Sequence, residues 1–320
     1  MEKSPLVSVI VPCYNNEVFV GEAIKSALRQ EYRPKEIIVV DDGSSDGSVQ
    51  NIKSFGERVR WKRTPNRGAA AARNEGLRMA NGELVKFLDA DDLLADGVLR
   101  RQVYQIQEKC KGNQIPFGEY GSINKKGNRK KKKNYHRFDD EKEISILDIL
   151  KEIIQTSAPL HRQSRLLEVG GFDEDMWKQN EYDLHIRLHA AGVRFRYFKG
   201  MCCYCRVHES EERLSNRDAV AEDPRSVRTW IRKRIKLLQH KLGTPLPEEV
   251  QVHFAQSLWA AGRRAIRAGH LDVARQYFDD ARQLHSEKCV NGSFLYRAGV
   301  RLLGPRHCES VKNLLETDWF

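Results

Sequence analysis

The chain contains 320 residues, of which 40% are hydrophobic and 31% are charged, with 22 Gly and 10 Pro. This composition excludes collagen-like and low-complexity chains, and the length favours one large domain with a smaller second one. The formal net charge is +11, but it is concentrated in residues 121–140, with eight Lys or Arg and two Asp, and in residues 221–320, with 17 basic and 11 acidic residues. The rest of the chain is nearly neutral, so the main body lacks the positive charge of a nucleic-acid-binding protein.

Strands and helices are predicted in alternation over the first hundred residues. Runs of β-branched and other apolar residues indicate strands, and stretches with a period near 3.6 indicate helices, the second of them capped by Ser44. The predicted strands are 7–11, 36–40, 59–62 and 83–88, and the predicted helices are 21–29, 44–55 and 69–80. The βαβαβαβ order predicts an α/β fold with a Rossmann-like, mostly parallel sheet and helices on both faces.

Acidic residues follow two of these strands. Asp41 and Asp42 follow the second strand, and Asp89, Asp91 and Asp92 follow the fourth. Because the carboxyl ends of parallel strands share one edge of a sheet, we expect these acids to lie close together and to repel one another unless a cation or hydrogen-bond donors lie between them. Carboxylate oxygens are the ligands that Mg²⁺ and Mn²⁺ prefer. A divalent metal site is therefore predicted at this edge.

Other types of site at this edge lack their sequence signal. The chain has no G-x-G-x-x-G after a strand and no G-x4-G-K-[ST], which argues against a dinucleotide dehydrogenase and a P-loop NTPase. Asp42, Ser44 and Asp46 resemble the start of a calcium loop, but Lys53 stands at the twelfth position, where a bidentate Glu is required. A helix cap explains Ser44 but not two adjacent acids before a glycine.

Eight short motifs occur in order between residues 6 and 215. In the first hundred residues they are V-S-V-I-V-P-x-Y-N, V-V-D-D-G-S-S-D-G-S, N-x-G-x3-A-R-N and F-L-D-A-D-D. The later four are T-S-A-P-L-H-R-Q-S, G-G-F-D-E-D, N-E-Y-D-L-H-I-R-L and Y-x-R-V-H. The series resembles glycosyltransferase family 2. The resemblance implies a GT-A fold and an inverting, metal-dependent transferase of the hexosyltransferase type, with a nucleotide-sugar donor that we expect to be a UDP-sugar.

The resemblance also implies which residues contact the donor. Pro12 and Tyr14 match positions that line the nucleotide base, and Asp42 matches the acid that accepts a hydrogen bond from uracil N3. Arg73 matches an arginine near the donor phosphates, with a structural ion pair as the alternative. Asp89 matches the acid that holds the hydroxyl groups of the ribose or the sugar.

The implied metal ligands are two residues far apart in the chain. Asp91 matches the acid that bridges Mn²⁺ or Mg²⁺ to the diphosphate, and His208 matches a histidine that coordinates the metal in some members of the family. For His208 an ordinary loop histidine is the alternative, and Asp92 is expected to be a turn or supporting residue. The metal would act as a Lewis acid for the negative charge that develops on the leaving diphosphate.

The implied general base is Glu181, which lies six positions before Arg187 in the N-E-Y-D-L-H-I-R-L motif. Family members usually carry Asp at this position, and the longer Glu side chain alters the reach to the acceptor hydroxyl. Asp183 matches the neighbouring family acid and is expected to cap or anchor a helix over 182–191. A base on the face opposite the leaving group gives one in-line displacement and therefore inversion.

Seven cysteines without regular spacing argue against a disulfide framework, so reduced thiols are expected. Cys202, Cys203 and Cys205 with His208 are compatible with a zinc site, but they supply one C-x2-C spacing rather than the two pairs that structural zinc normally uses, which favours buried strand cysteines. No run approaches the roughly 20 apolar residues of a membrane span, and Pro12 interrupts the apolar start, which argues against a signal peptide. The predicted location is the cytoplasm.

The predicted domains divide the chain at residue 218. Residues 1–99 form the nucleotide-sugar half and residues 100–218 the acceptor half of one GT-A domain, and residues 219–320 form an all-helical extension. One tetratricopeptide-like unit, with its turn at Gly269-His270, predicts a helical hairpin packed on the catalytic domain rather than a peptide-binding array. Its packing residues are Leu258, Gly262, Ala265, Gly269, Ala274, Phe278 and Ala281.

The two basic segments bear on the choice of partners. They suit a glycan or lipid-linked acceptor that carries phosphate, or peripheral contact with the anionic inner face of a membrane, with a solvated loop as the alternative. Nucleic acid is not expected, because aromatic residues are not interleaved with the Lys run. The predicted function is sugar transfer in cell-surface polysaccharide synthesis. The alternative is a catalytically silent adaptor that binds partners through its helical tail and basic loop.

Overall fold

The computed structural model describes residues 4–124, 127–131, 138–152, 154–207, 218–291 and 293–317. The chain forms two compact units, Met1–Ser210 and Glu211–Phe320. In its described residues the first unit has an α/β fold with two sheets and the second is helical, which confirms the predicted fold class. The domain boundary inferred from the sequence, at residue 218, stays a prediction.

The elements of the first unit alternate as predicted over the first hundred residues. The strands are β1 (Val7–Cys13), β2 (Lys35–Asp41), β3 (Arg60–Arg63), β4 (Leu84–Phe87), β5 (Leu93–Leu94), β6 (Gln114–Ile123), β7 (Arg129–Lys131), β8 (His161–Arg162) and β9 (Arg194–Arg206). The helices are α1 (Val20–Leu28), α2 (Ser48–Lys53), α3 (Ala69–Met79), α4 (Val98–Tyr104), α5 (Ile146–Lys151), α6 (Gln163–Glu168) and α7 (Asn180–Ala190). A 3-10 turn follows α2 and a π-helical turn extends α4.

The first sheet has the strand order β3-β2-β1-β4-β8. Strands β1 to β4 run parallel, and the short β8 pairs antiparallel with β4 at the edge. Strands β1 and β4 are buried over their whole length, because a parallel sheet is covered on both faces, and they therefore appear in the sequence as continuous apolar runs. Helix α3 approaches β1 so closely that a side chain at Gly76 would collide with Ile10.

The second sheet has the strand order β5-β9-β6-β7. Strands β6 and β9 run parallel, and β5 and β7 pair antiparallel with their neighbours. Cys202, Cys203 and Cys205 are buried in β9, as predicted for strand cysteines, and all seven cysteines of the chain are unpaired thiols.

The predicted start of the second helix is wrong. Helix α2 begins at Ser48, and Ser44 does not cap it. The Ser44 amide instead donates to the Asp41 carboxylate at 3.2 Å, and the Ser44 hydroxyl accepts from the Asn15 amide at 3.0 Å. These bonds hold residues 44–47 in a loop against the end of β1. Helix α7 also begins two residues earlier than predicted, at Asn180.

The second unit contains the predicted hairpin. Its turn has Gly269 at φ 84°, and a side chain at Gly262 would collide with the Phe278 ring, which shows how closely the two helices pack. The described helices of this unit are α8 (Ala219–Glu222), α9 (Pro224–Leu242), α10 (Glu248–Arg267), α11 (Leu271–Leu284) and α12 (Phe294–Thr317). Within the described residues of either unit, no helix combines the length and the apolar character that crossing a membrane requires.

Candidate active site

The carboxyl ends of β1, β2 and β4 meet at one edge of the first sheet. Cys13 lies opposite Asp41 in the parallel register, and the Asp42 amide donates to the Cys13 carbonyl at 2.7 Å. Pro12 is buried within β1, whereas Tyr14, two residues on, leaves the strand with 45% of its surface exposed. Of these two residues, Tyr14 is therefore the one whose ring is accessible to a ligand.

Asp42 is buried and holds the loop that leads into α3. Its carboxylate accepts hydrogen bonds from the Arg67 amide at 3.0 Å, the Gly68 amide at 2.7 Å and the Thr64 hydroxyl at 3.3 Å. The next residue, Gly43, has φ 80° and lies so close to this loop that a Cβ would come within 2.9 Å of a backbone nitrogen. Local backbone donors thus stabilise the charge at the end of β2.

Arg73 connects three elements at the same edge. It is buried on α3, and its guanidinium donates to Asp89, after β4, at 2.6 Å and to the Asn180 side chain, at the start of α7, at 3.2 Å. The guanidinium also lies 5.2 Å from the centre of the Phe172 ring. The ion pair that the sequence left as an alternative for Arg73 is therefore present, and a contact with donor phosphates stays a prediction.

Glu181 follows Asn180 in the first turn of α7, where it is partly exposed. Asp183, two residues on, is buried and accepts from Arg187 at 2.7 Å, and Arg187 also donates to the Val169 carbonyl at 2.7 Å. Asp183 thus anchors the helix by an ion pair rather than as a cap. Through Asn180 and Arg73, the start of α7, which carries Glu181, lies at the same edge of the sheet as Asp89.

The acids after β4 form a tight turn. The Asp92 amide donates to the Asp89 carbonyl at 3.0 Å, and the buried Asp92 carboxylate accepts from the Arg206 amide at 2.8 Å. Burial raises the pKa of Asp92 well above its usual range, and the nearby Cys205 thiol and the carboxylates of Asp91 and Asp89 add to this shift. Asp92 is therefore a supporting residue of the turn, as the sequence suggested.

Arg206 is the residue at this site that the sequence did not single out. Its side chain reaches the Asp91 backbone carbonyl at 2.8 Å and the Glu22 carboxylate at 2.7 Å. Its position within the Y-x-R-V-H motif could have marked Arg206 as a candidate site residue. The sequence does not show, however, that its side chain contacts both α1 and the turn that contains Asp91.

The donor set at the acid turn fits a hard divalent cation. Asp89 and Asp91 offer carboxylate oxygens within one turn, and His208 lies outside the described residues. In the part of the chain that the structure describes, no three His, Cys, Asp or Glu side chains form a metal-binding group. The residues therefore fit Mg²⁺ or Mn²⁺ only in the mode where one or two carboxylates, substrate phosphates and water share the coordination.

Three buried basic side chains, those of Lys86, His161 and His185, lie on or next to strand β4. The Lys86 ammonium on β4 donates to Gln102 at 2.7 Å and to the carbonyls of Ala158 and Pro159 at 3.0 and 3.2 Å, and burial lowers its pKa to about 8. His161 and His185 stack with 6.0 Å between their ring centres. Burial lowers the pKa of His185 to about 3 and that of His161 well below its usual range, so both rings are neutral near pH 7.

Residues 129–131 of the basic segment form strand β7 of the second sheet. The Arg129 guanidinium at the start of β7 is 4.7 Å from the centre of the Tyr204 ring, and the Lys130 side chain is exposed. Lys132 and Lys133 fall outside the described residues. Within the segment that the sequence predicted as a basic loop, residues 129–131 are therefore in a strand, and the loop prediction stays untested for residues 125–126 and 132–137.

Residues 8–165 of the chain match the sequence model of the family described as Glycosyl transferase family 2. The chain is 35% identical over 190 residues to the GalNAc(5)-diNAcBac-PP-undecaprenol beta-1,3-glucosyltransferase of Campylobacter jejuni, an alignment that covers 58% of this chain and 60% of that protein. It is 31% identical over 211 residues to an uncharacterized glycosyltransferase of Rickettsia typhi, which covers 65% of this chain and 66% of the relative. This chain spans about a third of the length of two similar proteins, one from Rickettsia felis and one from Rickettsia conorii.

The chain also resembles crystal structures of S. aureus TarS. The structure of TarS 1–349 in complex with UDP-GlcNAc matches with a TM-score of 0.60 and 20% identity over 92% of both chains. The structure of TarS 1–349 without a named ligand matches with a TM-score of 0.57 and 19% identity. This similarity shows that the two proteins share a fold.

Proposed function

We propose that this chain, which belongs to glycosyltransferase family 2 and has the GT-A fold, transfers a sugar from a nucleotide-diphosphate donor to a hydroxyl group of a glycan or lipid-linked acceptor. One observation carries the proposal: the Arg73 guanidinium joins Asp89, after β4, to Asn180, at the start of α7. An acid assigned to the donor and the helix that carries the assigned base are thereby held at one edge of the sheet.

The donor is proposed to be a UDP-sugar of the hexose type. The exposed Tyr14 ring and Pro12 would line the uracil base, and Asp42 would accept the hydrogen bond of its N3–H group. Asp89 would hold ribose or sugar hydroxyls while Arg73 keeps its carboxylate in place. The UDP-GlcNAc in the TarS crystal structure supports this choice of donor through the shared fold.

Asp91 is the proposed ligand for Mn²⁺ or Mg²⁺, with His208 as a second ligand. A metal bound there would supply Lewis-acid stabilisation for the charge on the leaving diphosphate. Asp91 lies in the turn that Asp92 and Arg206 hold in place, so its carboxylate is presented from a rigid backbone. Rigid support of this kind reduces the cost of reorganisation when the donor binds.

Glu181 is the proposed general base. Its side chain is partly exposed at the start of α7, so an acceptor hydroxyl can reach it, whereas Asp183 is committed to its ion pair with Arg187. Glu181 would take the proton of the hydroxyl as it attacks the anomeric carbon, while the nucleotide leaves from the opposite face. This single displacement inverts the anomeric configuration.

The acceptor is proposed to carry phosphate at a membrane surface. The Campylobacter jejuni relative is named for an undecaprenol-linked diphosphate glycan as its substrate. The basic strand β7 would contact such a diphosphate or the anionic headgroups around it, which would place the protein on the cytoplasmic face of the membrane in polysaccharide synthesis.

A panel of nucleotide sugars with Mn²⁺ tests the proposal. We expect one class of UDP-sugar to raise the melting temperature and to be hydrolysed slowly in the absence of acceptor, since water can take the place of the acceptor hydroxyl. GDP- and CMP-sugars are the matched controls for the base. A folded protein that neither binds nor hydrolyses any nucleotide sugar would contradict the proposal and favour the silent adaptor.

A further inference from the structure

We propose that Arg206 is a positioning residue that orients Asp91 by holding its backbone. The inference rests on the proposed function, because it concerns the acid assigned to the metal. The Arg206 side chain is only 1% exposed. A buried guanidinium is strongly unfavourable unless its donors are used, so the partners of this side chain are defined rather than incidental.

The strand register explains why Arg206 meets the acid turn. Strand β5 pairs antiparallel with β9, with Leu93 opposite Tyr204, so continuing the register by two residues places residue 206 opposite residue 91. The Arg206 amide donates to the Asp92 carboxylate at 2.8 Å, and its Nε donates to the Asp91 carbonyl at 2.8 Å. One residue thus holds two successive acids of the turn, one by its main chain and one by its side chain.

The far end of the arginine is fixed as well. Its Nη2 donates to the Glu22 carboxylate on α1 at 2.7 Å, and its Nη1 donates to the Asn124 carbonyl at 3.4 Å. The guanidinium also lies 4.3 Å from the centre of the Phe19 ring. Because both ends are held, the Asp91 carbonyl is held with them, and the direction in which the Asp91 side chain leaves the backbone is fixed.

Lysine cannot replace this arrangement. The guanidinium presents five N–H donors in a planar fork, whereas an ammonium is a point charge at the end of a flexible chain. A lysine at this position keeps the positive charge and most of the apolar stem, but it cannot serve the Asp91 carbonyl and the Glu22 carboxylate from two sides at once. Arg206→Lys therefore tests geometry without removing charge.

Two further variants separate positioning from general support of the fold. Arg101 on α4 also donates to a backbone carbonyl of β9, that of Met201, so Arg101→Lys removes a comparable bond outside the acid turn. Glu22→Gln keeps a hydrogen-bond acceptor for Arg206 but removes its charge. Glu22 is half exposed, so this variant is expected to fold.

The measurement is the affinity for UDP by calorimetry, with Mn²⁺ and with EDTA, for the parent and the three variants. We expect Mn²⁺ to tighten UDP binding by the parent and this tightening to fall about tenfold in Arg206→Lys, the loss typical of one charge-assisted hydrogen bond. The affinity in EDTA should stay within about twofold, since Asp42 and Tyr14 are untouched. Arg101→Lys should behave like the parent, and Glu22→Gln should show a smaller loss in the same direction.

The other outcomes are equally decisive. An unchanged Mn²⁺ effect in folded Arg206→Lys, or equal losses with Mn²⁺ and with EDTA, would overturn the positioning role while leaving the metal site standing. If Arg206→Lys does not fold, Glu22→Gln decides: an unchanged Mn²⁺ effect overturns the role, and a reduced one supports it. A parent whose UDP binding ignores Mn²⁺ would instead remove the proposed metal site, and this inference with it.

Discussion

Charge is handled in opposite ways at the acidic edge of the first sheet and on strand β7 of the second sheet. At the edge of the first sheet, the side chains of Asp42, Asp89 and Asp92 each accept a hydrogen bond shorter than 3.0 Å, from either a backbone amide or an arginine. On the second sheet, Lys130 of β7 is exposed to solvent. The acids are therefore fixed in place, whereas the exposed Lys130 side chain can adjust to a ligand or surface that approaches it.

This difference predicts different kinds of function. A charge that is held by fixed partners acts on one atom of a bound ligand. Its removal therefore blocks a single step, and the size of that effect depends little on the salt concentration. An exposed charge is screened by salt and acts together with its neighbours, so only the sum of several such charges is noticeable. Single substitutions at the acid edge and multiple substitutions in the basic strand should thus give effects of different character, and not only of different size.

The largest effect is expected for Asp91→Asn. Loss of the carboxylate should lower the rate of donor turnover about 10³-fold or more, because the leaving diphosphate would lose the metal ion proposed to balance its charge. The fold should be retained, since Asp91 lies after a strand end and its backbone carbonyl still binds Arg206. Hydrolysis of the donor and thermal shift with UDP and Mn²⁺ provide the measurement. Asp96→Asn, at an exposed acid in the same segment, is the control, and equal activity of the two variants would refute the assignment.

Glu181→Gln should lower the rate of sugar transfer by roughly 10² to 10⁴-fold, the usual loss when a general base is removed. Donor affinity should hardly change, because Glu181 is assigned to the acceptor side. Asp183→Asn is the matched control on the same helical turn: it breaks the ion pair with Arg187 and should cost stability rather than turnover. The assignment is wrong if Glu181→Gln transfers at the parent rate, or if folded Asp183→Asn is the inactive one.

Neutralising Lys130 to Lys133 together should weaken binding to anionic vesicles by up to several hundredfold at low salt. Each basic residue near such a surface contributes about 1 kcal/mol, and added salt should remove the difference. Sedimentation with anionic and neutral vesicles measures this, while donor hydrolysis should stay at the parent level. If binding is unchanged and Arg297→Gln with Arg301→Gln weakens it instead, the contact belongs to the helical unit.

The smallest effect concerns stability and pH. The folded pKa of His185 is about 3, against about 6.5 when unfolded, because burial and the nearby Arg187 disfavour the charged ring. The unfolded chain therefore binds more protons between these values, and stability falls as the pH is lowered below about 6.5. Between pH 7 and pH 5 the parent should lose about 2 kcal/mol of its free energy of unfolding because of His185. His185→Phe should not show this part of the loss, which urea unfolding at the two pH values measures. Identical pH dependence of the two proteins would contradict the buried neutral ring.

The sequence predicted the first four strands and the acids that follow them, because both signals are local. A buried parallel strand is a short apolar run, and its polar end lies in the next few residues. The same local reasoning failed at Ser44, where a serine before a helical pattern suggested a cap. One of the two contacts that hold Ser44 in a loop comes from Asn15, 29 residues earlier.

The contacts that assemble the site are long-range, which is why the sequence could not show them. Arg73 and Asn180 are 107 residues apart, and Arg206 and Asp91 are 115 apart. Each pair joins elements from different parts of the chain, and a pattern in one segment carries no information about which distant segment packs against it. The likeness to a family implied that Asp89 and Glu181 belong to one site, but it did not show that Arg73 links Asp89 to Asn180, the residue before Glu181.

The three donors on Asp42 limit what a nucleobase can do there. A carboxylate offers about four lone-pair positions, and the described contacts occupy three of them with Thr64, Arg67 and Gly68. A base that presents an N–H at the remaining position can donate a hydrogen bond to the carboxylate. A base that presents a lone pair there would be repelled, because the carboxylate oxygen is itself an acceptor. Uracil carries such an N–H at N3 and cytosine carries a lone pair. If Asp42 binds the base as proposed, the loop before α3 would therefore make the last position on the carboxylate selective for uracil over cytosine.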